Sequence, residues 1–427
     1  MATTIFALSS GAAPAAIGVI RISGPQACGA LQALAGRIPP ARRAVTATLR
    51  DAEGALLDRA LVLWLPGPNT ATGEDCTELH LHGGRAVIAA VEQGLAALPG
   101  LRRAEPGEFT RRAFTNGRID LAEAEGLADL LAAETELQRR SALALAGGSF
   151  SRTVEEWRLR LLTLSAEVEA LLDFSDEDDV APSGWDERFT WNIAGLIADL
   201  EAWLARPRAE VLREGFRVVL AGPPNAGKST LFNALVEAEA AITSPIPGTT
   251  RDIVTRPVAI AGLPFLFLDT AGLREQTADP IEQTGIDRAR SEVDRADLVL
   301  WLGPDAQCPS GAWNIEAQCD RADHPAKAAP RHRLSARTGE GLDALRADLI
   351  ATARLALPRP GEAALNLRQH RLLAEAHEAL AAAQGLTDLL LIAESLRLAR
   401  VAFDALLGRT TTEDMLDALF GRFCIGK

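Results

Sequence analysis

The sequence predicts a multidomain protein: an α+β N-terminal domain, a discontinuous α-helical domain, and an α/β P-loop domain inserted into the helical one. Three observations carry this reading. Residues 1–117 mix short β-like runs with Gly and Pro turns. Residues 118–209 and 354–427 are helical in pattern. Residues 210–353 alternate strand and helix patterns around a Gly-rich loop. A chain of 427 residues has room for roughly two to four such domains.

In the first segment, Ile17 to Ile22 and Ala60 to Leu65 read as strands. In the second, Val154, Trp157, Leu161, Leu164, Val168 and Leu171 recur at steps of three and four, one face of a long amphipathic helix. Gly147-Gly148 separates it from the helix before. The acidic run Ser175 to Asp179, followed by Pro182, Ser183 and Gly184, reads as an exposed loop, and solvated charge explains it better than a metal site. Pro358, Pro360 and Gly361 mark the return to helix. A tolerated insertion brings its ends close together, so residues near 210 and 353 are expected to be neighbours.

Composition narrows the function. A net charge of −13 argues against binding nucleic acid through bulk charge, so any RNA contact needs a local basic patch. The densest candidate is Arg102, Arg103, Arg111, Arg112 and Arg118, for which a salt-bridged face is the simpler reading. Tyrosine is absent, so stacking platforms for single strands are scarce. Cysteines at 28, 76, 308, 319 and 424 form no CxxC pair and fit unpaired thiols in a reducing cytoplasm. No apolar run approaches the ~18 residues that a membrane helix needs, and Met1 to Gly24 reads as a strand rather than a signal peptide.

The strongest motif is Gly222-Pro-Pro-Asn-Ala-Gly227-Lys228-Ser229, between an apolar strand (Arg217 to Ala221) and a helical pattern (Thr230 to Leu235). Glycines let backbone N–H groups wrap phosphate oxygens, and the helix start adds a favourable dipole. In this reading Asn225, Ala226, Gly227, Lys228, Ser229 and Thr230 contact the nucleotide. Lys228 neutralises the β- and γ-phosphates, and the Ser229 hydroxyl ligates Mg²⁺.

Three further motifs select a GTPase over an ATPase of the same loop type. Asp269-Thr270-Ala271-Gly272 follows an apolar run, which sets an acid near Mg²⁺ and a movable N–H near the γ-phosphate. Gly248-Thr249-Thr250-Arg251-Asp252 supplies Thr250, which reaches Mg²⁺ only while the γ-phosphate is present. Ser335-Ala336-Arg337-Thr338-Gly339 is a turn for the guanine edge. The base-reading Asn-Lys-x-Asp is degenerate. Its best match is Asp320-Arg321-Ala322-Asp323, in which Asp323 still accepts from the guanine N1–H and amine. The alternative register, Ala317 to Asp320, loses both the asparagine and the lysine.

The whole chain resembles the bacterial tRNA uridine-5-carboxymethylaminomethyl modification GTPase family (MnmE/TrmE). The resemblance is carried by Gly18-Val-Ile-Arg21-Ile-Ser-Gly24, by Gly73-Glu-Asp75-Cys-Thr-Glu78-Leu-His-Leu-His82-Gly-Gly84, by the stretch from Pro106 to Glu125, and by the tail Phe423-Cys424-Ile425-Gly426-Lys427. It implies a folate-binding, dimerising N-terminal domain at 1–117. Helical parts follow at 118–209 and 354–427, with a GTPase domain at 210–353 between them. It further implies a cytoplasmic homodimer that joins an FAD-dependent protein of the MnmG type in a heterotetramer. That complex installs an aminomethyl-type group on C5 of the wobble uridine of certain tRNAs, with a one-carbon unit from a tetrahydrofolate.

By position, Arg21, Glu78, Arg118 and Lys427 match the folate contacts; read alone, Arg21 and Arg118 are surface charges and Glu78 a salt-bridge partner. Asn225, Ser244, Ile246 (through its carbonyl) and Thr249 match a potassium site formed when two GTPase domains meet. Ser244 and Thr249 thereby join the nucleotide site. Glu282 matches a water-orienting glutamate, or is an exposed helix acid. Cys424 is a nucleophile toward the uridine or merely an exposed thiol. His80 and His82, two ligands on one strand face, are too few for a metal site. The competing reading is a GTPase timer or assembly factor that acts on RNA without modifying it.

Overall fold

The computed structural model describes residues 3–173, 185–237, 254–269, 292–321, 324, 326–410 and 412–426. It divides into two compact units, Met1–Ala128 with Asp404–Lys427, and Asp129–Phe403. The acidic run at 175–179 lies outside the described residues.

The first unit is built on β1 (Thr4–Leu8), β2 (Ile17–Ser23), β3 (Val45–Arg50), β4 (Leu56–Leu65), β5 (Cys76–His82) and β6 (Leu101–Arg103), in the order β3-β4-β5-β2-β1-β6. Neighbours are antiparallel except β1 and β6. The alternation of a half-buried sheet decides which side chains serve the core. Ile20, Ile22, Leu79 and Leu81 turn inward against α1 (Ala27–Ala35) and α2 (Arg85–Ala96). Arg21 and Glu78, one residue out of phase, fall on the other face, directly opposite one another. Ile5, Ala7 and Ala104 pack there on Phe109 of α3 (Glu108–Thr115).

The chain's last segment returns to this unit. Phe420 and Phe423 pack with Leu121 and Ala124 of α4 (Leu121–Ala132) and with Leu416. Gly107, at φ +69°, lies so close to the Phe420 carbonyl that an added Cβ would meet its oxygen at 2.2 Å. Gly426 is wedged in the same way against the Leu8 carbonyl, 2.1 Å from where its Cβ would stand. The tail therefore runs beside β1.

In the second unit α5 (Glu136–Ala146) and α6 (Ser149–Asp173) are separated at Gly147-Gly148, where Gly148 adopts φ +72°. The face of α6 buries Val154, Trp157, Leu161, Leu164 and Val168, while Leu171, near the helix end, is only half-buried. Trp157 meets Phe150, Trp203 and Phe403.

The α/β part has β7 (Phe216–Ala221), β8 (Val254–Ile260), β9 (Leu263–Asp269), β10 (Leu298–Trp301), β11 (Trp313–Glu316) and β12 (His332–Arg333), in the order β12-β11-β10-β7-β9-β8. All neighbours are parallel except β8 and β9. Helices Lys228–Glu237 and Leu342–Ala356 pack on it around Val218, Leu220, Leu231, Phe267, Leu300, Ile315 and Leu345. Parallel strands buried on both faces read as continuous apolar runs, as β7 and β9 do. The two ends of this part meet: Ala209 N–H donates to Leu365 O at 2.9 Å, and Leu367 N–H to the Glu210 carboxylate at 2.8 Å.

Candidate active site

The Gly222–Ser229 loop leaves the C-terminal end of β7 and enters the helix Lys228–Glu237. Gly222, at φ +146°, packs against the backbone of Gly303, whose nitrogen would lie 2.9 Å from an added Cβ. Gly227 has φ +92° and Asn225 φ +62°, in the left-handed region that asparagine tolerates better than most residues. Lys228 is buried and curls back over the loop, donating to Gly222 O at 2.6 Å and Pro223 O at 2.8 Å. Its ammonium and the first N–H groups of the helix thus face the same concavity, a ready anion site.

One residue on, Ser229 Oγ donates to Asp269 Oδ2 at 2.7 Å. Asp269 ends β9, which pairs with β7 so that Leu220 stands opposite it. A hydroxyl and a buried carboxylate side by side at the phosphate end of the loop are hard oxygen donors of the kind Mg²⁺ takes.

The segment expected to read the base follows β11. Gln318 forms an isolated bridge with Ser335. Ser335 is fully buried and closes its turn by accepting from Thr338 N–H at 3.2 Å and Gly339 N–H at 2.9 Å. Its hydroxyl also bonds to the Asp320 carboxylate, which with the nearby Arg337 and Arg321 charges holds Asp320 below the usual carboxylate range. Ala336 packs on the α/β core, and Arg337 is exposed. Gln318 Nε2 donates to Asn225 O at 3.0 Å, tying this segment to the phosphate loop. Gln318 carries no motif, so the sequence reading passed over it; its amide two residues before a motif that lacks its asparagine is the signal that was there to find.

In the first unit Arg21 donates to Glu78 Oε1 through Nε at 3.1 Å and Nη2 at 2.9 Å. His80 Nε2 lies 3.3 Å from the other Glu78 oxygen, and the Arg21 guanidinium sits 6.0 Å from the Phe109 ring centre. His82 instead bonds Asp58 at 2.8 Å. Ala7 stands opposite Arg21 in register, and Leu8, next along, packs on Gly426, so Gly426 lies near this pair. Cys424 is exposed, and its carbonyl accepts from Gly107 N–H at 3.5 Å.

Four of the five arginines of the basic cluster are neutralised. Arg102 pairs with Glu108, Arg103 with Glu92, Arg111 with Glu413 and Asp417, and Arg112 with Glu74 and Glu108. Burial pushes the Glu108 carboxyl up, but its bonds from Arg102 and from the Glu105 N–H pull it further down, below its ordinary value. Arg118 alone of the five makes no ion pair among the described residues, and its stem packs on Gly73.

Residues 4–118 match the family model of the GTP-binding protein TrmE N-terminus, and residues 121–424 match that of the MnmE helical domain. The second match alone spans more than half of the chain. The chain belongs to the MnmE family of tRNA modification GTPases. A tRNA modification GTPase MnmE of Erythrobacter litoralis is 65% identical over 99% of this chain and 100% of its own length. One from Novosphingobium aromaticivorans is 64% identical over the whole of both chains. Among solved structures, the G domain of the T. maritima FeoB iron transporter aligns with 32% of this chain and 98% of its own at 23% identity. Its TM-score of 0.25 supports no statement about this chain.

Of the residues that the MnmE resemblance and the motifs single out, Ser244, Ile246, Thr249, Thr250, Thr270, Ala271, Gly272, Glu282, Asp323 and Lys427 lie outside the described residues. Asn225 to Thr230, Asp269 and the Ser335–Arg337 turn converge on the end of the parallel sheet, and Arg21 and Glu78 meet on the other unit's sheet. No helix among the described residues is long and apolar enough to cross a membrane.

Proposed function

We propose that this chain is a GTP hydrolase that takes part in tRNA modification, with GTP bound along the Gly222–Ser229 loop. The observation that carries the reading is the meeting of Lys228, Ser229 and Asp269 around one loop. Lys228 brings a cation to the β- and γ-phosphates, and the helix start orients their oxygens. Ser229 and Thr250 hold Mg²⁺, with Asp269 behind Ser229. When bound, that ion draws charge off the phosphate oxygens and favours departure of GDP. The Gly272 N–H meets the γ-phosphate, and Glu282 orients the attacking water. Asn225, Ser244, the Ile246 carbonyl and Thr249 would hold K⁺ when two GTPase domains meet, and the ion would supply positive charge to the transition state. Asp323 and the Ser335–Arg337 turn read guanine.

The wider reading follows the family. Residues 1–117 bind a tetrahydrofolate and dimerise, 118–209 and 354–427 form the helical domain, and 210–353 the GTPase domain. Arg21, Glu78, Arg118 and Lys427 contact the folate. A carboxylate suits the amino-pyrimidine edge of a pterin, and a guanidinium suits the folate carboxylates. The Arg21–Glu78 pair, and Arg118 with no ion pair among the described residues, support this. The homodimer joins an FAD-dependent protein of the MnmG type, in the cytoplasm, and the complex modifies C5 of the wobble uridine.

The test is the wobble nucleosides of tRNA from a strain that lacks this chain. The modification disappears, the wild-type chain restores it, and Lys228→Ala does not. Unchanged nucleosides in the deletion strain would leave a GTPase timer acting on RNA.

A further inference from the structure

The base-reading segment has lost a donor. Asp320 stands where the motif has an asparagine, and an ionised carboxylate only accepts. The Ser335 hydroxyl holds its carboxyl below the ordinary value. Yet the two segments are joined. Gln318 Nε2 donates to Asn225 O at 3.0 Å, while Arg321 donates to Gln318 Oε1 at 3.4 Å, which fixes which end of the amide faces the loop. The same side chain lies over Gly227, where an added Cβ would stand 3.1 Å from Nε2 and 3.5 Å from Cγ.

The consequence follows from peptide geometry. In a trans peptide the carbonyl of one residue and the N–H of the next lie on opposite edges of one plane. Gln318 holds the Asn225 carbonyl outward, so the Ala226 N–H turns inward, toward Pro223 O at 3.4 Å. That carbonyl also receives Lys228 Nζ, so the Ala226 N–H and the lysine point into one space, the interior of the phosphate loop. Asn225 itself sits at φ +62°, in the left-handed region that asparagine tolerates.

We propose that Gln318 is a positioning residue of the nucleotide site, whose amide fixes the Asn225–Ala226 peptide with its N–H toward the phosphates. This rests on the GTP reading above.

The test uses the full chain with Gln318→Leu and Gln318→Glu, both close to glutamine in length and both without the donor at neutral pH. GDP and guanosine each compete against a fluorescent GDP analogue, and thermal melts check folding. GDP weakens about three- to tenfold in both variants, the span of one net hydrogen bond, while guanosine, which has no phosphate, is unchanged. Equal weakening of GDP and guanosine overturns the proposal in favour of a base contact. No weakening of either shows the contact to be idle and overturns it too. If Gln318→Leu melts early, Gln318→Glu decides. A wild-type chain that binds no GDP would instead overturn the GTP reading itself.

Discussion

The Ser229 hydroxyl donates to Asp269 Oδ2 at 2.7 Å, joining the first turn of the helix Lys228–Glu237 to the last residue of β9. The two residues are forty apart in sequence and meet because β7 and β9 are parallel neighbours. Ser229→Ala removes one proposed Mg²⁺ ligand while leaving Lys228 and the loop backbone in place. It should lower the rate of GTP hydrolysis by about 10²-fold or more, the scale of losing one group that stabilises transition-state charge. GDP binding in EDTA should hardly change. A variant with normal turnover in Mg²⁺ would show that the hydroxyl serves only Asp269.

Potassium should accelerate hydrolysis. Asn225 lies at the exposed tip of the loop with its backbone carbonyl already committed to Gln318, so its side chain is the part left for a cation. Turnover measured in KCl and NaCl at equal ionic strength should differ by about tenfold or more, as an added charge beside the bridging oxygen requires. Equal rates in the two salts would rule out the cation site.

Arg118 should matter to folate binding more than its neighbours do. Arg102, Arg103, Arg111 and Arg112 are each occupied by an acid, whereas Arg118 makes no ion pair among the described residues. Calorimetry of the full chain with 5-formyltetrahydrofolate should show Arg118→Ala weakening binding at least about tenfold, the size of a charge-assisted hydrogen bond. Arg103→Ala should leave it unchanged. Tight binding that survives Arg118→Ala would move the site elsewhere.

What was legible in the sequence had a local cause. The glycines, lysine and serine of the phosphate loop fall within eight residues, and the flanking strand and helix follow from the apolar pattern alone. The face of α6 was legible for the same reason, except at Leu171, where burial fades toward the helix end. The neutral character of the Arg102–Arg118 cluster was foreshadowed by net charge, but its partners were not. Glu413 and Asp417 reach Arg111 from some three hundred residues away. The amide of Gln318 was in view in the sequence, but its partner was not, because the contact depends on strand order. β10 lies between β11 and β7, and the chain clears that gap at Gly303, which packs on Gly222 and Pro223.

Ser141 joins α5 to the segment that follows the α/β part. It is buried, donates to Glu362 O at 2.8 Å and accepts from Ala364 N–H at 3.2 Å. Ser141→Ala leaves that buried N–H without its partner, a loss of about 1–3 kcal/mol. Thermal melts should show the loss, while GDP affinity at a temperature where the variant is folded stays normal. An unchanged melting temperature would mean that water replaces the hydroxyl.

Asp320→Asn should tighten GDP. The asparagine keeps an acceptor for the Ser335 hydroxyl and gains the donor that guanine N7 needs. One net hydrogen bond is worth roughly 0.5–1.5 kcal/mol, so affinity should rise several-fold, up to about tenfold. Hydrolysis of bound GTP should be nearly unaltered, since the change lies at the base and not at the phosphates. Acid offers a second route to the same donor, because a protonated Asp320 also carries an O–H. The direction of its shift decides where that route opens. The bond from Ser335 favours the ionised form and sets the carboxyl below its ordinary value, so the proton returns only under more acidic conditions than an unperturbed aspartate requires. Wild-type GDP affinity should therefore show no gain from this group between about pH 5 and 8, since the ordinary aspartate value is near 3.9. In the Asn variant the tighter affinity should hold across that whole range. Equilibrium titrations with a fluorescent GDP analogue at several pH values measure both. A wild-type affinity that climbs toward the variant's as the pH falls from 7 to 5 would mean that the Asp320 carboxyl is raised above its ordinary value rather than lowered.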